Sequence, residues 1–175
     1  MKKRIILLIL ASALLIVSIS VTLAILMDSS KTVVNTFTVG NVNIELTETT
    51  GTEYKLTPGV ALFKNPVVTV KAESESCWLF VKIQKTADFE NFCTFEMQDG
   101  WTALLSNEGV YYREVQKASV DRSFDIIKNN SVLVKDTLTE EQLDSMSNQT
   151  LSFTAYAVQS DGIATPQTAW QFFNQ

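Results

Sequence analysis

Histidine is absent from the 175 residues. Without an imidazole the chain cannot build a Ser-His-Asp or Cys-His nucleophilic site, nor any zinc site that needs that ligand. Cysteine occurs twice, too few for a zinc knuckle or an iron–sulfur cluster. Positive charge is scarce: 14 Lys and Arg stand against 19 Asp and Glu, the formal net charge is −5, and the pI is about 4.8. With no basic stripe, binding of nucleic acid through phosphate neutralisation is not expected. A glycine-rich phosphate loop, a G-x-S-x-G elbow and a calcium loop are missing too. A catalytic base near neutral pH would have to be a perturbed carboxylate or lysine. No enzyme and no cofactor are expected.

What is present begins with Lys2, Lys3 and Arg4, followed by 23 uncharged residues from Ile5 to Met27. Positive charge stays cytoplasmic while an apolar run enters the membrane, so residues 1–24 read as an export signal helix. The small residues Thr22 and Ala24 place the cut between Ala24 and Ile25. The alternative is an uncleaved anchor, because 23 residues are enough to span a hydrocarbon core of about 30 Å. Cleavage would remove three positive charges and no negative one, turning the net charge of −5 into −8. Residues 25–34 then form a flexible N-terminal segment, and residues 35–175 a single domain large enough for its own core.

Period two dominates from Asn35 onward. Phe37 and Val39 alternate with threonines, and after Gly40 the apolar set continues as Val42, Ile44 and Leu46, a parity shift that predicts a β-bulge at the glycine. Pro58-Gly59 signals a type II turn, and Val67, Val68 and Val70 the next strand. Cys77, Leu79, Val81 and Ile83 share one face while Trp78 and Phe80 occupy the other, which predicts a central strand. The segment from Phe92 to Met97 is expected to pair behind it. Trp101–Leu105 and Val110–Val115 predict a hairpin across Ser106–Gly109, Asn129-Asn130 another turn, and Leu151–Gln159 the last strand. Two short helices are predicted: one from Glu140 to about Met146 behind a capping box of Thr139 and Gln142, the other starting at Thr165-Pro166 with Ala169, Trp170 and Phe173 on one face. Eight or nine short strands without long alternating helices predict an all-β, antiparallel β-sandwich, jelly-roll-like or, as second choice, immunoglobulin-like.

Cys77 and Cys93 lie 16 positions apart around a predicted turn at Lys85–Asp88. A cross-strand disulfide and two separate buried thiols are both open. Carboxylates come in close pairs (Glu45 with Glu48, Glu73 with Glu75, Asp88 with Glu90, Glu140 with Glu141), and a solvated surface accounts for them without a hydrolytic pair. Trp78, Trp101, Trp170 and the Tyr111-Tyr112 pair suit a core better than a sugar platform, and because Tyr111 and Tyr112 fall on opposite faces of their strand, only one of them is expected to be buried and the other to face water.

Several segments carry a resemblance. Thr22-Leu23-Ala24 with Asp28 and then Asn35–Val42 resembles the signal region and first strand of proteins processed by the SipW-type signal peptidase of Gram-positive bacteria. Lys64–Val70, Cys77–Lys82, Gly109–Arg113 and Thr154–Gln159 are similar to blocks of the same group, related to the TasA and camelysin biofilm proteins. Members usually carry an aromatic soon after the cleavage alanine, where this chain has Ile25-Leu26-Met27. The metallopeptidase class of camelysin relatives is not carried over, because no H-E-x-x-H helix is possible without histidine. The resemblance implies a secreted jelly-roll subunit of extracellular fibres, with a SipW-type peptidase and further copies of itself as partners, and membrane contact only through the signal. On that footing Val33, Val34 and Phe37 belong to an unpaired N-terminal strand that adds to the sheet edge of the next subunit. A membrane-anchored module that binds wall polysaccharide or protein is the alternative.

Overall fold

A computed structural model describes residues 35–50, 57–139, 142 and 149–173. Strands dominate, arranged in three sheets with two short helices among the described residues. The export signal, its Ala24–Ile25 junction and the segment 25–34 lie outside them.

The residue pattern of Cys77–Lys85 decides the centre. This strand, β5, buries Cys77, Leu79 and Val81 on one face and Phe80 on the other. A strand apolar on both faces is stable only where both are covered and both edges paired. Accordingly β5 is the third of five strands. On one side it pairs antiparallel with β11 (Leu151–Gln159), from Leu151↔Lys85 to Gln159↔Cys77. On the other it pairs with β8 (Val110–Val115), from Cys77↔Val115 to Lys82↔Val110. Outside β8 comes β7 (Thr102–Ala103), which closes the predicted hairpin. Gly109 in that hairpin has φ +73°, and a Cβ there would lie 2.7 Å from the Ile83 carbonyl oxygen, so no side chain fits. Outside β11 comes β1 (Asn35–Val39), completing the order β1-β11-β5-β8-β7.

Two smaller antiparallel sheets complete the strand set. One has the order β2 (Ile44–Thr47), β4 (Val67–Val70), β9 (Arg122–Asp125); the other β3 (Ala61–Phe63), β10 (Ser131–Val134), β6 (Cys93–Thr94). The larger apolar cluster draws on all three sheets: Leu79, Val81 and Ala155 from the first, Ile44, Leu46 and Val68 from the second, Val132 and Val134 from the third. The opposite face of β5 carries a smaller cluster of Phe80, Leu104, Val110, Val158, Ala169 and Trp170. There the helix α2 (Pro166–Trp170) lies down, as its apolar face predicts. Thr165 caps it by accepting a hydrogen bond from the Thr168 amide at 3.2 Å, and Pro166 stands in its first turn, where a missing N–H costs nothing.

Local signals hold where chemistry is local. Thr57-Pro58-Gly59-Val60 closes through a 3.1 Å hydrogen bond from the Val60 amide to the Thr57 carbonyl with Gly59 at φ +73°, the type II geometry. Asn129 and Asn130 take left-handed conformations at the predicted turn. The capping box forms in both directions: the Thr139 amide donates to Gln142 Oε1 at 2.9 Å, and the Gln142 amide to Thr139 Oγ1 at 3.3 Å. Apart from Gln142, the helix expected behind it lies outside the described residues.

Four expectations are corrected. Gly40 makes no bulge: β1 and β2 belong to different sheets, and the chain changes sheet between them, whereas a bulge keeps both flanks on one partner. The segment after Phe92 does not pair with β5, whose edges β11 and β8 already fill. Instead a short helix α1 (Phe89–Phe92) leads into β6 on β10, and Met97 bridges to Ile127. Pairing is not wholly antiparallel either, because β1 runs parallel to β11. Finally, Tyr111 and Tyr112 are both half-buried, since the face expected to be wet packs against the α2 cluster.

Candidate functional site at the first strand

The parallel edge is where the sequence-derived assembly residues can be located. β1 reads Asn-Thr-Phe-Thr-Val and follows β11 in register from Asn35↔Thr154 to Val39↔Val158. Its threonines, valine and phenylalanine are β-formers, so the strand is favoured wherever a partner edge is offered. That edge belongs to β11, whose Ala155, Ala157 and Val158 are buried. Phe37 stacks on Tyr156 with centroids 5.1 Å apart and planes at 15°. Tyr156 in turn meets Trp170 edge-on at 5.0 Å and Phe173 at 5.1 Å, so the aromatic row ties β1 to α2. Burial raises the Tyr156 phenol above its ordinary pKa. Yet Phe37 remains 50 % exposed, and Thr36 to Val39 are all exposed. Among the described residues no strand pairs with the outer edge of β1.

The unpaired strand expected here is therefore paired over Asn35–Val39, with its own chain. Val33 and Val34 lie outside the described residues. Among the described residues β1 is held to β11 by backbone pairing and by the half-buried Phe37 ring on Tyr156.

Cys77 on β5 and Cys93 on β6 are both free thiols and both buried. They belong to different sheets, so no cross-strand bridge joins them. Burial pushes the Cys77 thiol up from 9.0 to about 12, and burial raises Cys93 too, opposed by the charge of Lys135. At pH 8 a pKa of about 12 instead of 9.0 cuts the thiolate fraction about a thousandfold. Alkylation of Cys77 in the native protein is thus expected to be about that much slower than in urea, as followed by mass spectrometry. A native rate within tenfold of the denatured rate would contradict it. The linkage has a sign: the unfolded thiol ionises above pH 9.0 and the folded one only near 12, so this contribution to stability is full below pH 9 and is lost as pH rises towards 12.

The carboxylate pairs do not act in pairs. Glu45 meets Lys71 at 2.5 Å, Glu75 meets Lys117 at 2.7 Å, and Glu90 bonds Lys85, all at the surface. Hydrogen bonding to Lys85 lowers the Glu90 carboxyl below its usual range. Glu48 departs from the solvated reading: it holds Lys64 at 2.6 Å with the two side chains only 6 % and 8 % exposed. No spacing rule announces a pair 16 residues apart, and the sequence reading missed it. Among the described residues no three His, Cys, Asp or Glu side chains gather as a metal site, and no helix is long and apolar enough to cross a membrane. No protein-family model, curated protein or solved structure matches the chain.

Proposed function

We propose that this is a secreted structural subunit, its three sheets folded as a jelly-roll-like β-sandwich, which builds extracellular fibres by exchanging its first strand. In a filament, β1 of one copy replaces β1 of the next on the β11 edge. The observation that carries the reading is the parallel pairing of Asn35–Val39 with Thr154–Val158, held by backbone bonds and the Phe37–Tyr156 stack while the strand stays exposed. A strand that leaves β11 uncovers an edge beside buried Ala155 and Val158, and that edge demands a replacement. The same contact repeated head to tail does not close on itself and so propagates. The positively charged, then apolar start of the chain supplies the route out of the cell, with a cut after Ala24 by a SipW-type peptidase.

Proline at two successive positions, Phe37→Pro with Thr38→Pro, blocks pairing whichever residues face β11. The secreted double variant is expected to lose fibres completely in negative-stain electron microscopy. Fibres of unchanged number would refute strand exchange. The second reading, a membrane-anchored module presenting the domain to wall polysaccharide or protein, draws on the 23 uncharged residues from Ile5 to Met27. Mass spectrometry of the native N-terminus separates the two: a start at Ile25 means release, and an intact Met1 means anchoring.

A further inference from the structure

The chain contains three arginines, and two of them, Arg113 on β8 and Arg122 on β9, come together although their strands belong to different sheets. Arg113 stands opposite Leu79 on β5, hence on the face turned to the larger cluster. Its guanidinium carbon lies 3.9 Å from the centroid of Phe124 and 5.3 Å from that of Trp101. From β9, the Arg122 guanidinium approaches the same Phe124 ring at 5.8 Å. Two cations thus share one aromatic ring.

Neither is neutralised. All seven ion pairs among the described residues use lysine; Asp121 holds Lys71 and the Ala72 amide, Glu114 takes Gln116, Asp99 pairs with Lys128 at 3.6 Å, and Asp125, three residues from Arg122, forms no ion pair with either arginine. Arg122 spends one Nη1 bond of 3.3 Å on the Gln116 carbonyl. Among the described residues the Arg113 guanidinium has no hydrogen-bond acceptor, and its Nε is buried without a partner. A guanidinium carries five N–H donors in a fixed fork, so this is a large unmet capacity. The surrounding walls are set: the Trp101 indole N–H is fixed on the Asp125 carbonyl at 2.8 Å, and Gly100 leaves open the space beside Arg113 Nη2, where a Cβ would come to 3.2 Å. In a chain of net charge −5, two arginines thus share one aromatic ring without an ion-pair partner among the described residues.

We propose that Arg113 and Arg122 form a binding site for a phosphate or sulfate group. The doubly charged tetrahedral anion matches two guanidinium forks, and aromatic walls raise the strength of each charge-assisted bond by excluding water. Burial and the charge of Arg122 both lower the Arg113 pKa, and a bound anion offsets both costs.

The test uses the full chain in non-ionic detergent, 15N-labelled and titrated with inorganic phosphate at constant ionic strength against chloride. Three arginines make the Nε–H resonances simple to assign. Saturable shifts of the Arg113 and Arg122 signals are expected, with affinity falling about tenfold or more in Arg122→Gln, a surface position, and in Arg113→Lys, which keeps the charge and loses the fork. Polyphosphate at equal phosphate concentration separates the sources: equal response assigns the site to the free anion, and a tighter response assigns it to a phosphate-bearing polymer. Shifts no larger than chloride produces, or equal affinity in Arg122→Gln, would overturn the proposal.

Discussion

Truncating Glu48 to alanine is expected to destabilise the protein by about 3–5 kcal/mol, because it takes a close carboxylate partner from the Lys64 ammonium in a site that water hardly reaches. The pair is close, 2.6 Å, and nearly closed to solvent on both sides. Glu48 also accepts from the Thr50 hydroxyl at 2.8 Å, and the Lys64 Nζ lies 5.6 Å from the Phe153 ring centroid. Nearby, the Asn65 amide oxygen takes the Thr49 and Thr50 amides at 3.1 and 3.2 Å, so the backbone that delivers Glu48 is itself held. Loss of one partner removes the compensation while the other keeps its desolvation cost. Replacing both, Glu48→Leu with Lys64→Met, removes that cost, and the double variant is expected to lie within about 1 kcal/mol of the wild type or above it. Urea titrations with equal m-values measure the difference. A single-variant loss below about 1 kcal/mol would place the pair in solvent and restore the surface reading.

Phe80→Ala is expected to cost a similar amount, about 3–5 kcal/mol, through a different mechanism. Phe80 is fully buried at the middle of β5 and is the hub of the smaller cluster. Its ring lies 5.2 Å from Trp170, 6.2 Å from Phe173 and 6.3 Å from Tyr112. Removing it opens a cavity under α2 that a five-residue helix cannot collapse into, because Thr165 and Pro166 fix the start of that helix. The near-UV circular dichroism of Trp170 should weaken together with the urea midpoint. Phe37→Ala is the matched control: half of that ring is already in water, so its loss should cost less than about 1.5 kcal/mol. Equal losses at the two positions would mean that α2 contributes nothing to holding the sheet.

β5 was legible because a strand apolar on both faces has one stable location. The type II turn at Pro58-Gly59, the hairpin before Val110, the capping box at Thr139 and the cap at Thr165 were legible for the same reason: each is decided within about four residues by sterics or one short hydrogen bond. Gly40 was misread because a parity shift looks the same in sequence for a bulge and for a change of sheet. The strand at Cys93 was misread because adjacency in sequence favours hairpins, while both edges of β5 were taken by strands from elsewhere in the chain. The Lys64–Glu48 pair and the two arginines at Phe124 left no trace in spacing at all.

By itself the sequence determined that histidine-dependent chemistry is impossible, that strands dominate, that Cys77–Ile83 is a central strand and that Leu151–Gln159 is the last one. These follow from the atoms available and from a side-chain period of two, which need no knowledge of neighbours. Only the tertiary structure decided that β1 joins its own sheet in parallel, that the two thiols stay apart, and which charges are buried or left uncompensated. Those outcomes depend on which distant segments share an edge or an aromatic ring, and the free energy of such encounters is set by burial and pairing across sheets, quantities no local pattern contains.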